Sequence, residues 1–216
     1  PSSSFTAVRT PGLIREVRNA MVTVLAECGL IGGGQGVHLL HLLPLIRCFK
    51  LFLSLRVNTE DLLLITNAAQ EIVRAHNRVV REALTQFPGR EVKHTGDGIM
   101  ASFEQASDSV EAAIMMQRGA NTHTQGNPKL PLLLKIGINA GEPIQEDNDL
   151  FGSTVQMSAR IVDKAQKNEI FVSDVVKGIC SGKSYRFVNR GGFEMKGFDG
   201  PVTLWEVDWR RAQAAE

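Results

Sequence analysis

Residues 88–103, PGREVKHTGDGIMASF, constrain the fold of this chain more than any other stretch. Pro88 and Gly89 turn the chain. Residues 91–94 and the run IMASF have strand length, and Gly96-Asp97-Gly98 between them supplies the backbone freedom that a tight hairpin turn needs. Helical patterns flank the hairpin. Residues 66–84 place Ile72, Val73, Val79, Val80, Ala83 and Leu84 at helical spacing with charges on the other face, and residues 105–118 do the same with Ala106, Val110, Ala113, Ile114 and Gln117.

The rest of the chain continues the alternation. LLLKIGINAG (132–141) is an apolar run of strand length, and EPIQED (142–147) reads as a turn. A helix then runs to about 165 with Ser153 or Thr154 as its cap. A strand over 169–172, a short helix over 174–180 and terminal strands over 185–189, 192–197 and 201–209 complete the pattern, while THTQGNPKLP before 132 reads as a loop. Strands alternating with helices, plus hairpins, predict an α+β or α/β arrangement with helices against a mixed sheet.

Composition narrows the partners. With 24 basic and 23 acidic side chains the net charge is +1, so no global field recruits nucleic acid or an anionic membrane. Cys28, Cys48 and Cys180 are odd in number and far apart, which gives neither a disulfide framework nor metal-knuckle spacing and points to a reducing cytoplasm. Residues 1–18 show no apolar run of the signal-peptide kind. Residues 37–55, VHLLHLLPLIRCFKLFLSL, are strongly apolar, but two histidines, Arg47, Lys50 and Pro44 mark them as buried or partner-facing rather than membrane-spanning. GGGQG (32–36) lacks the following Gly-Lys-Ser/Thr of a phosphate loop.

Four places carry side chains suited to chemistry. Asp97 between two glycines offers a hard oxygen ligand for a divalent ion where a large ligand can come close, although Asp-Gly is also an ordinary hairpin dipeptide. Lys93 stands four residues earlier, a spacing that puts both on one side of a strand, and a solvated lysine explains it equally. Gln156 and Arg160, four apart, share one helix face and suit a sugar oxygen and a phosphate, or simply form a polar surface. Asp149 is placed to turn the chain or to accept from the exocyclic amine of a base.

Taken in order and spacing, KHTGDGIMASF, KIGINAGEPI, DLFGSTVQMSARI and RFVNRGGFEMKGFDGPVTLWEV resemble the catalytic domain of the class III adenylate and guanylate cyclases, most closely the bacterial adenylate cyclase branch. The resemblance covers about residues 64–209. It implies a ferredoxin-like βαββαβ central mixed sheet with helices packed on it, a homodimer with composite sites, and conversion of ATP to 3′,5′-cyclic AMP and pyrophosphate with two Mg²⁺ or Mn²⁺ ions. By the same resemblance Asp97 is a metal ligand, Lys93 and Asp149 read the adenine, Gln156 and Arg160 stabilise the transition state, and Lys196 binds phosphate. Residues 58–212 are then the catalytic domain, and 1–57 an atypical N-terminal segment with room for a divergent first strand and helix.

Two departures stand out. The family's first strand, F-x-D-I-x-G-[ST], supplies a second metal aspartate. Its expected place, residues 51–63, has no match, with Leu55 at the aspartate position and Glu60 and Asp61 the nearest carboxylates. Gln156 replaces an asparagine, one methylene longer, which matters for a transition-state contact.

Overall fold

The computed structural model describes residues 20–28, 59–94, 98–146 and 149–210. In chain order they form β1 (Ala20–Cys28), α1 (Thr59–Gln86), β2 (Gly89–His94), β3 (Gly98–Phe103), α2 (Ala106–Gly126), β4 (Leu132–Ala140), β5 (Ile144–Glu146), β6 (Asp149–Phe151), α3 (Ser153–Lys164), β7 (Glu169–Ser173), α4 (Asp174–Ile179), β8 (Phe187–Glu194) and β9 (Pro201–Val207).

Seven strands make one sheet in the order β2-β3-β1-β4-β7-β9-β8, and β5 and β6 pair separately. The β1-α1-β2-β3-α2-β4 portion is the ferredoxin-like βαββαβ unit, with β1 antiparallel to both β3 and β4 at its centre. Strand β7 extends the sheet parallel to β4, and β9 and β8 add antiparallel strands beyond it. The expected α+β fold is the one observed.

Alternation along the strands assigns the two faces. Leu132, Leu134, Ile136 and Ile138 of β4 join Ile99, Ala101 and Phe103 of β3 and Ile170 and Val172 of β7 in the main core, covered by α1, α2 and α4. The intervening positions face α3: Phe171 of β7 packs with Ile161 and Ala165. At Gly137 of β4 an added Cβ would lie 2.4 Å from the Val162 amide nitrogen and 2.8 Å from the Ser158 oxygen. Helix α3 therefore lies on the opposite face from α1 and α2, and lies there closely because Gly137 has no side chain.

Several expectations are corrected. The first strand is Ala20–Cys28, not a segment within 51–63; residues 51–58 lie outside the described residues, and Glu60 and Asp61 belong to the first turn of α1. Residues 37–55 also lie outside them. Helix α2 continues to Gly126 through residues read as a loop. Its last turns are held by Thr122 Oγ1 donating to the Arg118 oxygen and by the Leu132 amide donating to Thr124 Oγ1, both 3.0 Å. Helix α3 has Gly152, with φ of 104°, at its N-cap instead of Ser153 or Thr154, because β6 runs straight into the helix and only glycine makes that corner cheaply. The turn read over 142–147 contains β5, which pairs with β6. The two strands read over 185–197 are one, β8, whose Gly191 (φ of 88°) is absorbed in a bulge rather than a turn.

Candidate active site

Strand β2 pairs with β3 from Gly89↔Phe103 to His94↔Ile99, so the hairpin expected around the Gly-Asp-Gly sequence is present; Asp97 itself lies outside the described residues. A register shift between Glu91 and Lys93 leaves Val92 as an extra residue. Lys93 stands opposite Met100, and directly opposed residues share a face. Met100 packs with Leu150 of β6, and Val92 and Val155 border them. This small apolar cluster seats β6 against the hairpin on the α3 side of the sheet.

On that seat Lys93 Nζ forms an ion pair and hydrogen bond with Asp149 Oδ2. The other carboxylate oxygen, Oδ1, accepts from the Leu150 amide at 2.9 Å. The Lys93 hydrogen bond, with help from that amide, holds the Asp149 carboxyl below its ordinary range. Phe151, next but one along β6, lies with its ring centroid 5.8 Å from Lys93 Nζ, a cation–π contact. The structure thus brings together two of the expected residues, Lys93 and Asp149, and adds Phe151. The sequence carried a signal for the phenylalanine, since alternate strand residues share a face and Asp149 is two positions away.

Gln156 and Arg160 stand on α3, Gln156 exposed and Arg160 partly so. Arg160 Nη1 reaches Asp163 Oδ2 at 3.6 Å, a long i,i+3 contact, while its Nε is buried and has no hydrogen-bond partner. A guanidinium with one distant carboxylate and one unmet donor retains capacity for an anionic ligand. Asp163 was not singled out in the sequence, although its spacing of three from Arg160 makes the pairing readable. Lys196 is exposed in the connection between β8 and β9 and, among the described residues, has no ion-pair partner. The contacts of Gln156, Arg160 and Lys196 do not join them to the Lys93–Asp149 pair.

Among the described residues no group of three or more His, Cys, Asp or Glu side chains could hold a metal ion, and no helix is long and apolar enough to cross a membrane. Of the nine residues of β1, Glu27 alone bears a carboxylate. Its backbone position follows Leu25, which is opposite Gly98, the first described residue after Asp97.

A ferredoxin-like sheet, extended by three strands and carrying a lysine–aspartate pair beside an arginine helix, defines a domain of the nucleotide cyclase class. Residues 52–208 match the adenylate and guanylate cyclase catalytic domain, and the chain belongs to that family. Among similar proteins, one from Rhizobium meliloti (strain 1021), provisionally assigned as adenylate cyclase 3, is 34% identical over 119 residues, covering 54% of this chain and 20% of that protein. The adenylate cyclase of Mycosarcoma maydis is 28% identical over 145 residues, covering 56% of this chain and 6% of that protein. The chain therefore spans only a small part of these relatives' length. A crystal structure described as an adenylate/guanylate cyclase/hydrolase from Silicibacter pomeroyi superposes with a TM-score of 0.60 at 25% identity, covering 87% of this chain and 95% of that one. The adenylyl cyclase CyaB from P. aeruginosa shares the fold, with a TM-score of 0.59 at 17% identity over 88% of this chain and 94% of that one.

Proposed function

We propose that this domain binds ATP and converts it to 3′,5′-cyclic AMP and pyrophosphate at the interface of a homodimer. The observation that carries the reading is the Lys93–Asp149 pair. Adenine presents an acceptor ring nitrogen beside a donor amine, and guanine presents a donor beside an acceptor carbonyl. Lysine donates and ionised aspartate accepts, so with Lys93 facing the ring nitrogen and Asp149 the exocyclic group the pair complements adenine and sets like groups against guanine.

Arg160 binds the phosphoryl oxygens on which charge develops as the 3′-oxygen attacks the α-phosphorus, and Lys196 binds the departing pyrophosphate. Gln156 orients the ribose through its amide. Asp97 and Glu27 are the carboxylates proposed to hold Mg²⁺ or Mn²⁺, hard cations whose preferred donors are such oxygens. The ions, when bound, supply charge stabilisation at the triphosphate. A composite site is supported by α3, which offers Arg160 outward from its own sheet. Ile144 and Phe151 add support as directly opposed, exposed apolar residues beside the Lys93–Asp149 pair, a surface suited to a second copy.

The deciding assay incubates the purified chain with Mn²⁺ or Mg²⁺ and either ATP or GTP and measures cyclic nucleotide. Cyclic AMP formed in preference to cyclic GMP, and lost in Asp97→Ala, is the expected result. ATP binding without turnover would favour a second reading, a nucleotide-binding or dimerising module without catalysis. The absence of an aspartate from β1 and the extra methylene of Gln156 are the observations behind that alternative.

A further inference from the structure

Strand β4 reads LLLKIGINA, and Asn139 is its one uncharged polar side chain with hydrogen-bonding groups, 7% exposed. A buried amide is retained at a cost unless its hydrogen bonds do something an apolar residue could not. Asn139 Nδ2 donates to the Thr154 carbonyl oxygen at 3.2 Å, in the first turn of α3. Thr154 is itself buried, and an added Cβ at Gly141 would lie 2.6 Å from its Oγ1.

Helix α3 thus rests on β4 over Gly137 through Ser158 and Val162, and through Thr154 on Asn139 and on Gly141 just beyond the strand. Contact over a glycine is close but not directional, and leaves a helix free to slide or roll by fractions of an ångström. A hydrogen bond is directional and weakens steeply when bent or stretched. The Asn139 bond is a side-chain tether from the sheet to the turn that precedes Gln156 and Arg160, a turn that Thr154 Oγ1 also holds by donating to the Glu142 oxygen at 3.5 Å.

We propose that Asn139 is a positioning residue for the cyclase reaction, fixing the rotation and axial register of α3 so that Gln156 and Arg160 present to the triphosphate. This rests on the cyclase reading above. Gln156 is two residues from the tether and Arg160 six, so at about 1.5 Å rise per residue both follow any movement of the first turn rigidly. Misplacement by about 1 Å of a group that acts in the transition state costs up to about a hundredfold in rate.

The test is a double-mutant cycle with a second, activity-free readout. Asn139→Ala removes the donor, and Asn139→Asp keeps the shape while setting a carboxylate against a carbonyl. Each is expected to lower kcat about tenfold while KM for ATP stays within about threefold, and Asn139→Ala placed on a chain already carrying Gln156→Ala and Arg160→Ala is expected to add less than about twofold, since its effect runs through those two groups. In the unliganded protein, amide hydrogen exchange followed by mass spectrometry should rise in α3 and not in β4 or α2. Full additivity with the Gln156→Ala/Arg160→Ala double variant, or exchange rising equally across the sheet, would overturn the proposal. A wild-type chain that makes no cyclic nucleotide would overturn the cyclase reading and the catalytic consequence together. The exchange pattern would then still decide whether Asn139 anchors the helix.

Discussion

Lys93 and Asp149, 56 residues apart in sequence, meet as an ion pair across the gap between two separate sheets. Strand β2 at the edge of the main sheet supplies the cation, and the β5–β6 hairpin supplies the anion. Each neutralises the other's charge without burial, so a ligand edge offering one acceptor and one donor can insert between them at modest cost.

Replacing either partner should damage substrate selection more than folding. Lys93→Ala or Asp149→Ala is expected to raise the KM for ATP about tenfold, one good hydrogen bond's worth, and the double variant little further, because the residues act as a unit. Initial-rate kinetics with ATP and GTP check this. The Asp149 carboxyl is held below its ordinary range, so its ionised form survives as pH falls through the usual aspartate range and is lost only below it. ATP affinity measured by titration calorimetry should therefore carry no Asp149-linked loss between neutrality and the ordinary carboxylate pKa.

Arg160 should show the opposite signature. Arg160→Ala is expected to lower kcat by about 10²–10³, the range for removing one preorganised donor from developing charge, with KM changed far less. Arg160→Lys should not restore the rate, because an ammonium lacks the planar fork. Single-turnover measurement of cyclic AMP formation separates this loss from one of binding.

Chelation should abolish turnover reversibly. Excess EDTA is expected to stop cyclic AMP formation and added Mn²⁺ to restore it, while Asp97→Asn should stay inactive at any metal concentration tested. Mn²⁺ binding followed by electron paramagnetic resonance reports the metal independently of activity, and wild-type affinity persisting in Asp97→Asn would remove Asp97 from the site.

Gly137 is expected to tolerate no side chain. In Gly137→Ala the new carbon would press on backbone atoms of Ser158 and Val162, which cannot rotate aside. Overpacking of this kind costs about 1–3 kcal/mol, visible as a lower urea midpoint with an unchanged m-value.

His76 links stability to pH. It is 1% exposed on α1, its Nδ1 lies 3.0 Å from Asn77 Oδ1, and its buried Nε2 has no partner. Burial lowers its pKa from 6.5, with the Asn77 hydrogen bond opposing the shift and His94 and Arg81 adding to it. The native state then binds its proton only at lower pH than the unfolded chain does. His76 therefore favours the fold above pH 6.5, and that contribution is lost as pH falls from 6.5 to the native pKa, at a slope of up to about 1.4 kcal/mol per pH unit. Urea unfolding of the wild type and His76→Leu over pH 5–7 should show this slope in the former and its reduction in the latter.

Much of the fold was legible where a segment's periodicity also described its surroundings. The pattern of Ile72, Val79, Val80 and Ala83 located α1, and all four are buried in it. The Gly-Asp-Gly hairpin and the strand at 132–141 followed equally from local rules. The first strand did not. AMVTVLAEC has the composition of any short apolar run, and its place between β3 and β4 is visible only in its pairing with both. The bulge in β8 was misread for the same reason, since adjacent glycines look like a turn until the strand opposite continues past them.

By itself, the sequence determined which segments could be helix or strand and which side chains carried charge fit for a nucleotide, because propensity, periodicity and ionisation belong to residues and their near neighbours. Tertiary structure alone decided that Lys93 meets Asp149, that Arg160 keeps an unmet donor, and that Asn139 reaches across to Thr154. Those facts depend on strand order and on the close seating of α3 over Gly137, and contacts between residues distant in the chain are set by packing, which no local window contains.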